Sequence, residues 1–490
     1  MIGGKAASLL TLARIGAAVP PAFVLTTEAY RYWQKGNHGE VRKLVSEGIA
    51  GLEAQTGRQL GAAPDGLIVS VRSGAPVSMP GMMDTVLNAG IGSLGEGQPP
   101  YLYEARARFL LQFAELVLMV DDEILAALRA APFPTTAAAV DSLERTLRNA
   151  AEFWPERPED ELVAAVEAVF ASWQSDRAKL YRRMRKIDDA LGTAVTIQQM
   201  VFGNRDSASG SGVAFTRDPT SGAPGLMGEF IFGGQGEEVV AGRETGSGLG
   251  QWKQKQPDGF AALEALGQCL EAETRQVHEI EFTMEAGRLF VLQCRPALLT
   301  ARGAARVAVD MVAERRIGRD EALAYARGHG FDPAADAEAP CVAPDVVAIA
   351  KGLPVGGGVA AGRLAFSVSA AETIMGAGDP VLFATKETSP ALLSIMQRSA
   401  ALLTMTGGVT SHAAVVAREL GIPCVVGLGA TIADGTLAVG GGIAEGGWLT
   451  LDSDSGAIFE GNVTQMVSRL SDHERMLRGW HSDASVGKRA

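Results

Sequence analysis

The sequence predicts a mixed α/β (α+β) chain of several domains, and three features carry that expectation. Short apolar runs bounded by glycine and proline, such as residues 67–71, 380–384 and 400–403, read as buried strands. Residues 101–188 switch to helical spacing, as in Leu110-Leu111-Phe113-Ala114-Val117-Leu118 and Leu162-Val163-Val166-Val169-Phe170-Trp173. Hydrophobic residues at 47%, charged residues at 20% and 59 glycines describe a folded, turn-rich protein rather than a disordered one. At 490 residues the chain has room for about three domains of ordinary size.

The same composition excludes several classes. A formal net charge of -12 and a pI near 5.2 argue against a nucleic-acid surface. Cys269, Cys294, Cys341 and Cys424 include no C-x-x-C pair, so neither a zinc site nor a disulfide framework is suggested. A reducing, cytoplasmic setting fits. No signal peptide opens the chain and no apolar run is long enough to cross a bilayer, so no membrane partner is expected.

Met1-Ile2-Gly3-Gly4-Lys5-Ala6-Ala7 leads a glycine pair and a lysine into a helix. Such an opening can bring backbone N–H groups and an ammonium to phosphates, although most isolated triplets of this kind are turns. A turn, a strand and a capped helix follow from Pro20 to Glu28 and reach Tyr30 and Trp33. The strand at 67–75 is apolar on both faces and ends near Arg72 and Gly74. An arginine there suits bidentate phosphate contact, or else a salt bridge at a sheet edge. The next run, Ser78-Met79-Pro80-Gly81-Met82-Met83-Asp84-Thr85-Val86-Leu87-Asn88, has too many methionines and turn formers for ordinary core. The helical stretch carries no assigned chemistry, and Arg182, Arg183 and Arg185 near its end read as a solvated or dipole-matched face.

Sheet returns over 193–202, followed by small residues at 203–212. That loop either folds over a nucleotide, donating N–H groups to its phosphates, or forms a plain hairpin. Farther on, Glu279-Ile280-Glu281-Phe282-Thr283-Met284 turns through Glu285-Ala286-Gly287 into a second strand that carries Gln293. Period-two alternation puts Glu279 and Glu281 on one face. Like charges at neighbouring same-face positions repel, so a cation beside them is the natural relief. Magnesium bridging nucleotide oxygens fits, and an exposed acidic edge is the competing reading. Residues 305–326 then read as a helical connector and 331–344 as an Ala, Asp and Pro rich linker. A new domain starts near Lys351 and runs through strands at 380–384, 425–427 and 448–452, and a short helical tail at 463–477 follows.

Within that last domain the decisive stretch is 400–423. An apolar strand is broken by Gly407 and Gly408, and a helix begins with Thr410 or Ser411 as its cap and His412 in its first turn. The positive helix end disfavours imidazolium and leaves a neutral ring nitrogen able to attack. The same end can stabilise an arriving phosphoryl group, and the two glycines let backbone approach a bulky anion. Gly421 stops the helix and Pro423 prevents its resumption. For a lone histidine, a merely structural place beside a cap would be the commoner reading.

The run from Thr404 to Pro423 closely resembles the phosphohistidine segment of the phosphoenolpyruvate-utilising enzymes. Its Thr410-Ser411-His412-Ala413-Ala414-Val415-Val416-Ala417-Arg418 order looks like the pyruvate, phosphate dikinase family. Gly3-Gly4-Lys5, the stretches 78–88 and 203–219, Gly228-Glu229-Phe230, residues 234–242 and the 279–296 hairpin are similar to the ATP-binding domain of that family. The resemblance implies an ATP-grasp-like nucleotide-binding domain over 1–300 with a helical insert at about 101–190. It further implies a helical linker and hinge over 301–345, a swivelling β/α phosphohistidine domain over 346–465 and a tail over 466–490. His412 would be the catalytic phosphoryl carrier, supported by Gly407, Gly408, Thr410 and Ser411. Lys5, Arg72, Glu281 and Gln293 would bind ATP, Glu281 and Glu279 would hold Mg2+, and a loop at Gly81 would cover the triphosphate. Two positions depart from the family pattern, Glu279 for aspartate and Thr406 for the usual arginine.

The family also carries a segment before Gly-Gly-Lys and a C-terminal TIM barrel for phosphoenolpyruvate or pyruvate, and these 490 residues leave no room for the barrel. The expected function is a dikinase half-reaction, in which ATP, phosphate and His412 give phosphohistidine, AMP and pyrophosphate. Onward transfer to pyruvate would need a separate barrel-containing partner. Two alternatives stay open: a dikinase for another acceptor, and a non-catalytic phosphocarrier or nucleotide sensor.

Overall fold

The computed structural model of the protein describes residues 1–62, 64–77, 79, 82–235, 247–334, 338–388, 392–468 and 470–487. They divide into one unit made of 1–209 with 283–294 and a second made of 210–282 with 295–490. The mixed α/β class expected from the periodicities is what forms. Among the described residues no helix is long and apolar enough to cross a membrane.

The first unit is organised by an antiparallel sheet of β1 (Ala22–Leu25), β2 (Val69–Gly74), β3 (Thr85–Ala89) and β4 (Ala194–Gln199), in the order β1-β4-β2-β3. Val69, Val71, Val195 and Ile197 are fully buried, so β2 and β4 form its core. Helix Gly3–Arg14 meets the end of β2 so closely that a Cβ on Gly3 would lie 1.7 Å from the Gly74 carbonyl oxygen. Only glycine, at φ +77°, fits there.

The expected helices run from Pro100–Leu116 to Asp176–Arg185. Arg182 corrects the sequence reading. Its residue is 1% exposed, and it donates to the Trp173 carbonyl at 2.6 Å and Asp189 at 2.5 Å. The last helical turn packs the guanidinium over the Trp173 ring instead of into solvent, whereas Arg183 and Arg185 stay exposed.

In the second unit, β5 (Gly210–Arg217), β6 (Pro224–Phe232), β7 (Ser247–Gly248) and β8 (His278–Glu285) lie in the order β7-β6-β5-β8. The chain then turns through Ala286 and Gly287, both at positive φ, into β9 (Arg288–Pro296). Ile280, Phe282 and Met284 are buried on one face, while on the other Glu279 and Thr283 are also buried and Glu281 is half-buried.

The stretch read as linker is more structured than its composition suggests. Helices Ala301–Ala313 and Arg319–Gly328 share a buried cluster with Leu477 of helix Asp472–Gly487. β10 (Glu338–Val342) runs antiparallel to a strand at Thr464–Ser468, where helix was expected. Each strand supplies the ladder partner of the other, and neither segment reveals that alone.

The remaining sheet combines β11 (Ala350–Lys351), β12 (Leu353–Gly356), β13 (Val359–Ala365), β14 (Val381–Thr385), β15 (Ala401–Thr404) and β16 (Cys424–Val426). A small three-stranded sheet, β17 (Ile432–Ala433), β18 (Thr436–Leu437) and β19 (Ile443–Ala444), precedes β20 (Trp448–Asp452) and β21 (Ala457–Glu460). The main order is β11-β21-β20-β13-β14-β15-β16-β12, with β13 to β16 parallel. Helices Val368–Gly376, Leu393–Arg398 and His412–Leu420 make the crossovers. Alternate side chains feed two cores, Phe383 and Leu402 against the helices and Leu382 and Leu403 on the other face. His412 therefore follows the carboxyl end of a central parallel strand, where open α/β sheets place their ligands.

Candidate functional site

The His412 helix runs from His412 to Leu420, with Ser411 in extended geometry at its cap position and Gly421 left-handed at its end. Its start and stop are those expected from the local residues. Ser411, however, makes no capping bond, and its hydroxyl is buried without a hydrogen-bond partner among the described residues. The His412 ring is held from one side, with Nδ1 lying 3.0 Å from the Thr388 hydroxyl oxygen. Nε2 is buried and has no hydrogen-bond partner among the described residues. In the tautomer whose Nδ1–H is donated to Thr388, Nε2 carries the lone pair.

Burial pushes the His412 pKa below its ordinary 6.5, with the Glu419 carboxylate pulling weakly the other way. A depressed pKa keeps the ring neutral to lower pH. The midpoint of the fall in the rate of His412 modification with pH should therefore lie below 6.5. A rate profile whose midpoint lies at or above 6.5 would contradict that placement.

The loop ahead of the helix is gripped by a residue remote in sequence. Glu229, on β6 and only 5% exposed, accepts from the Val409 N–H at 2.6 Å and from the Thr410 hydroxyl at 3.3 Å. A Cβ on Gly408 would lie 1.7 Å from Glu229 Oε1, so this glycine is what lets the carboxylate in. The anion beside the glycine pair is thus a protein carboxylate. Burial raises the Glu229 pKa, opposed by its bonds to Val409 and Thr410 and by nearby Arg418. Arg418 closes the loop from the other end by donating to the Val409 carbonyl at 2.8 Å, with its guanidinium over the Phe215 ring.

In the first unit the expected phosphate-binding residues come together. Arg72 donates to the Gln293 side-chain oxygen at 3.1 Å. Gly74, two residues along β2 on the same face, has Lys5 Cβ 3.9 Å from where its own Cβ would stand. Lys5, Arg72, which lies within β2 rather than at its end, and Gln293 thus line one neighbourhood. Glu281 and Glu279 belong to the second unit. The Glu279 carboxylate, 8% exposed, is taken by Arg295 at 2.8 Å, which supplies the counter-charge that its neighbour in sequence seemed to demand. Gly81 lies outside the described residues.

Two family models match the chain. One, the pyruvate phosphate dikinase AMP/ATP-binding domain, matches residues 37–256 and includes Arg72 and Glu229. The other, the mobile domain of PEP-utilising enzymes, matches residues 378–456 and includes Thr388 and His412. Pyruvate, phosphate dikinase of Clostridium symbiosum is 36% identical over 97% of this chain and 58% of its own length. Pyruvate, phosphate dikinase 2 of Zea mays is 37% identical over 99% of the chain and 58% of its own. The chloroplastic enzyme of Mesembryanthemum crystallinum is 36% identical over all of the chain and 54% of its own. The chain belongs to the pyruvate, phosphate dikinase family. It spans a little over half the length of these curated relatives.

For a member of the dikinase family, three contacts escape a reading of the sequence. Thr388 lies outside regular secondary structure, just after β14, with nothing in the sequence to mark it as the Nδ1 partner of a histidine 24 positions on. Glu229 did carry a signal, a single acid in the strand Pro224–Phe232 otherwise filled by Phe230, Ile231 and Phe232. Arg295 stood at the end of its hairpin, and antiparallel pairing is what brings it back to Glu279. Among the described residues no cluster of three or more acidic, histidine or cysteine side chains could hold a metal alone. A magnesium ion that bridges nucleotide oxygens needs only one or two carboxylates, and the Glu279 carboxylate is already paired with Arg295.

Proposed function

We propose that this chain carries out the nucleotide half-reaction of a dikinase. The carrying observation is the His412 ring, fixed through Nδ1 by Thr388 with Nε2 left for attack at a helix N-terminus. Nε2 bonds to the β-phosphorus of ATP as the α,β-bridging oxygen leaves with AMP, giving a pyrophosphorylated histidine. An oxygen of inorganic phosphate then bonds to the terminal phosphorus, and pyrophosphate departs, leaving one phosphoryl group on Nε2. Phosphoryl transfer of this kind depends on positioning and charge neutralisation rather than on covalent help from the protein.

This assignment gives each residue a task. Lys5 and Arg72 hold phosphate oxygens, Gln293 orients the Arg72 guanidinium, and Glu281, with Glu279 behind it, would hold magnesium. Magnesium would neutralise phosphate charge when bound with the nucleotide. Helix N–H groups and the Ser411 hydroxyl, which has no partner among the described residues, receive the phosphoryl group on His412. The reading keeps domains over about 1–300 and 346–465 with the segment between them as a hinge, and the matched regions 37–256 and 378–456 fall inside those two domains. Onward transfer would go to pyruvate or another small acceptor held by a partner domain or protein.

Purified protein with magnesium and ATP should release AMP, and pyrophosphate only when phosphate is added. ADP as the product would overturn the assignment. Thr388→Val, which keeps shape but removes the Nδ1 partner, should slow phosphohistidine formation by about 10- to 100-fold, as expected for a lost orienting hydrogen bond. An unchanged rate would remove Thr388 from the mechanism.

A further inference from the structure

The helical stretch within 101–190 has no role in the function proposed above, yet its side chains converge on one point of the first unit. Ser172, the last residue of helix Pro158–Ser172 and 4% exposed, donates its hydroxyl proton to the Val169 carbonyl at 2.8 Å. Its oxygen is thereby turned to accept the Asp84 N–H at 3.2 Å. Arg177, in the first turn of the next helix, donates Nε to the Met82 carbonyl at 3.2 Å and pairs Nη2 with Asp84 Oδ1. The corner between these helices is itself fixed. Trp173 is fully buried with its indole N–H on the Asp189 carbonyl, and Gln174 donates to the Tyr30 hydroxyl at 2.6 Å.

Asp84 leads directly into β3, the edge strand of the sheet. The first residue of β3, Thr85, stands opposite Arg72 in the ladder. A third helix grips the same strand through Gln112, whose amide donates to the Thr85 carbonyl at 2.7 Å and accepts the Leu87 N–H at 2.8 Å. That side chain does what a neighbouring backbone would do, covering an edge that would otherwise present unpaired groups. A shift of Asp84 is thus handed through Thr85 to the arginine on which phosphate binding depends.

We propose that Arg177, Ser172 and Gln112 are positioning residues for the nucleotide site, and that the helical stretch acts as a clamp setting where the Met82–Asp84 turn and the Arg72 strand lie. The inference rests on the nucleotide-binding reading of Arg72. Arg177 is the best probe, because its side chain is 44% exposed and its loss leaves no core cavity.

The test is calorimetric binding of a non-hydrolysable ATP analogue with magnesium to the full chain, Arg177→Gln, Asp84→Asn and the double variant. Each single change should weaken binding about tenfold, with the double no weaker than either, because both break one linkage. Thermal midpoints should stay within about 3 °C of the unaltered protein, as for a surface substitution. Hydrogen exchange over 82–84 should accelerate. Analogue affinities within about twofold of the unaltered protein, or losses that multiply in the double variant, would overturn the clamp. An unaltered protein that fails to bind the analogue would instead remove the nucleotide reading, and the clamp with it.

Discussion

Gly408→Ala should reduce phosphohistidine formation by about 100-fold, the scale of a misplacement of about 1 Å at a reacting group. The added Cβ would stand 1.7 Å from Glu229 Oε1 and 2.2 Å from its carboxyl carbon, a separation no packed pair of atoms tolerates. The Glu229 side chain is 5% exposed and already committed to Val409 and Thr410, so it has little room to retreat. The loop must therefore move, and His412, four residues on, moves with it. Overpacking of this kind costs about 1–3 kcal/mol of stability, which a melting curve would register. The affinity for magnesium–ATP should be unchanged. Labelling at the normal rate would mean that the Glu229 grip is not the arrangement in which the histidine reacts.

Arg72→Ala should weaken magnesium–ATP binding by about 100-fold, which corresponds to losing about two charge-assisted hydrogen bonds to phosphate. The guanidinium is held by Gln293 at 3.1 Å, and β2, Val69–Gly74, carries no other cationic side chain to replace it. Arg72→Lys should recover only part of the loss, because an ammonium cannot make the bidentate contact. A dissociation constant within about threefold of the unaltered protein would take Arg72 out of the nucleotide site.

Features decided by neighbours in sequence were legible before the fold was seen. The His412 helix starts and stops where its local residues dictate, and the hairpin turns at Gly287, which takes positive φ without strain, although Ala286 beside it also adopts positive φ. The acid–apolar alternation of β8 was also plain from Glu279 to Met284. What escaped depends on distant partners. Glu229 reaches Val409 across 180 positions, and no periodicity carries that information. Arg182 was read as solvated because Trp173 and Asp189, which surround it, lie on other segments. Glu279 and Glu281 were read as a pair short of a cation, and the structure supplies one to Glu279 from Arg295, 16 residues on. The strand at Thr464–Ser468 is not legible from its own residues, because its ladder partner at Glu338–Val342 sits in a stretch whose composition resembles a linker.

The central claim is that His412 receives a phosphoryl group from the β-position of ATP. It is tested most directly by incubating the protein and His412→Ala with magnesium and β-labelled ATP, with and without phosphate. An acid-labile label on the unaltered protein alone, accompanied by AMP and by phosphate-dependent pyrophosphate, is the predicted result. Binding of ATP with neither label nor AMP would contradict the account and leave a nucleotide-binding protein without this chemistry.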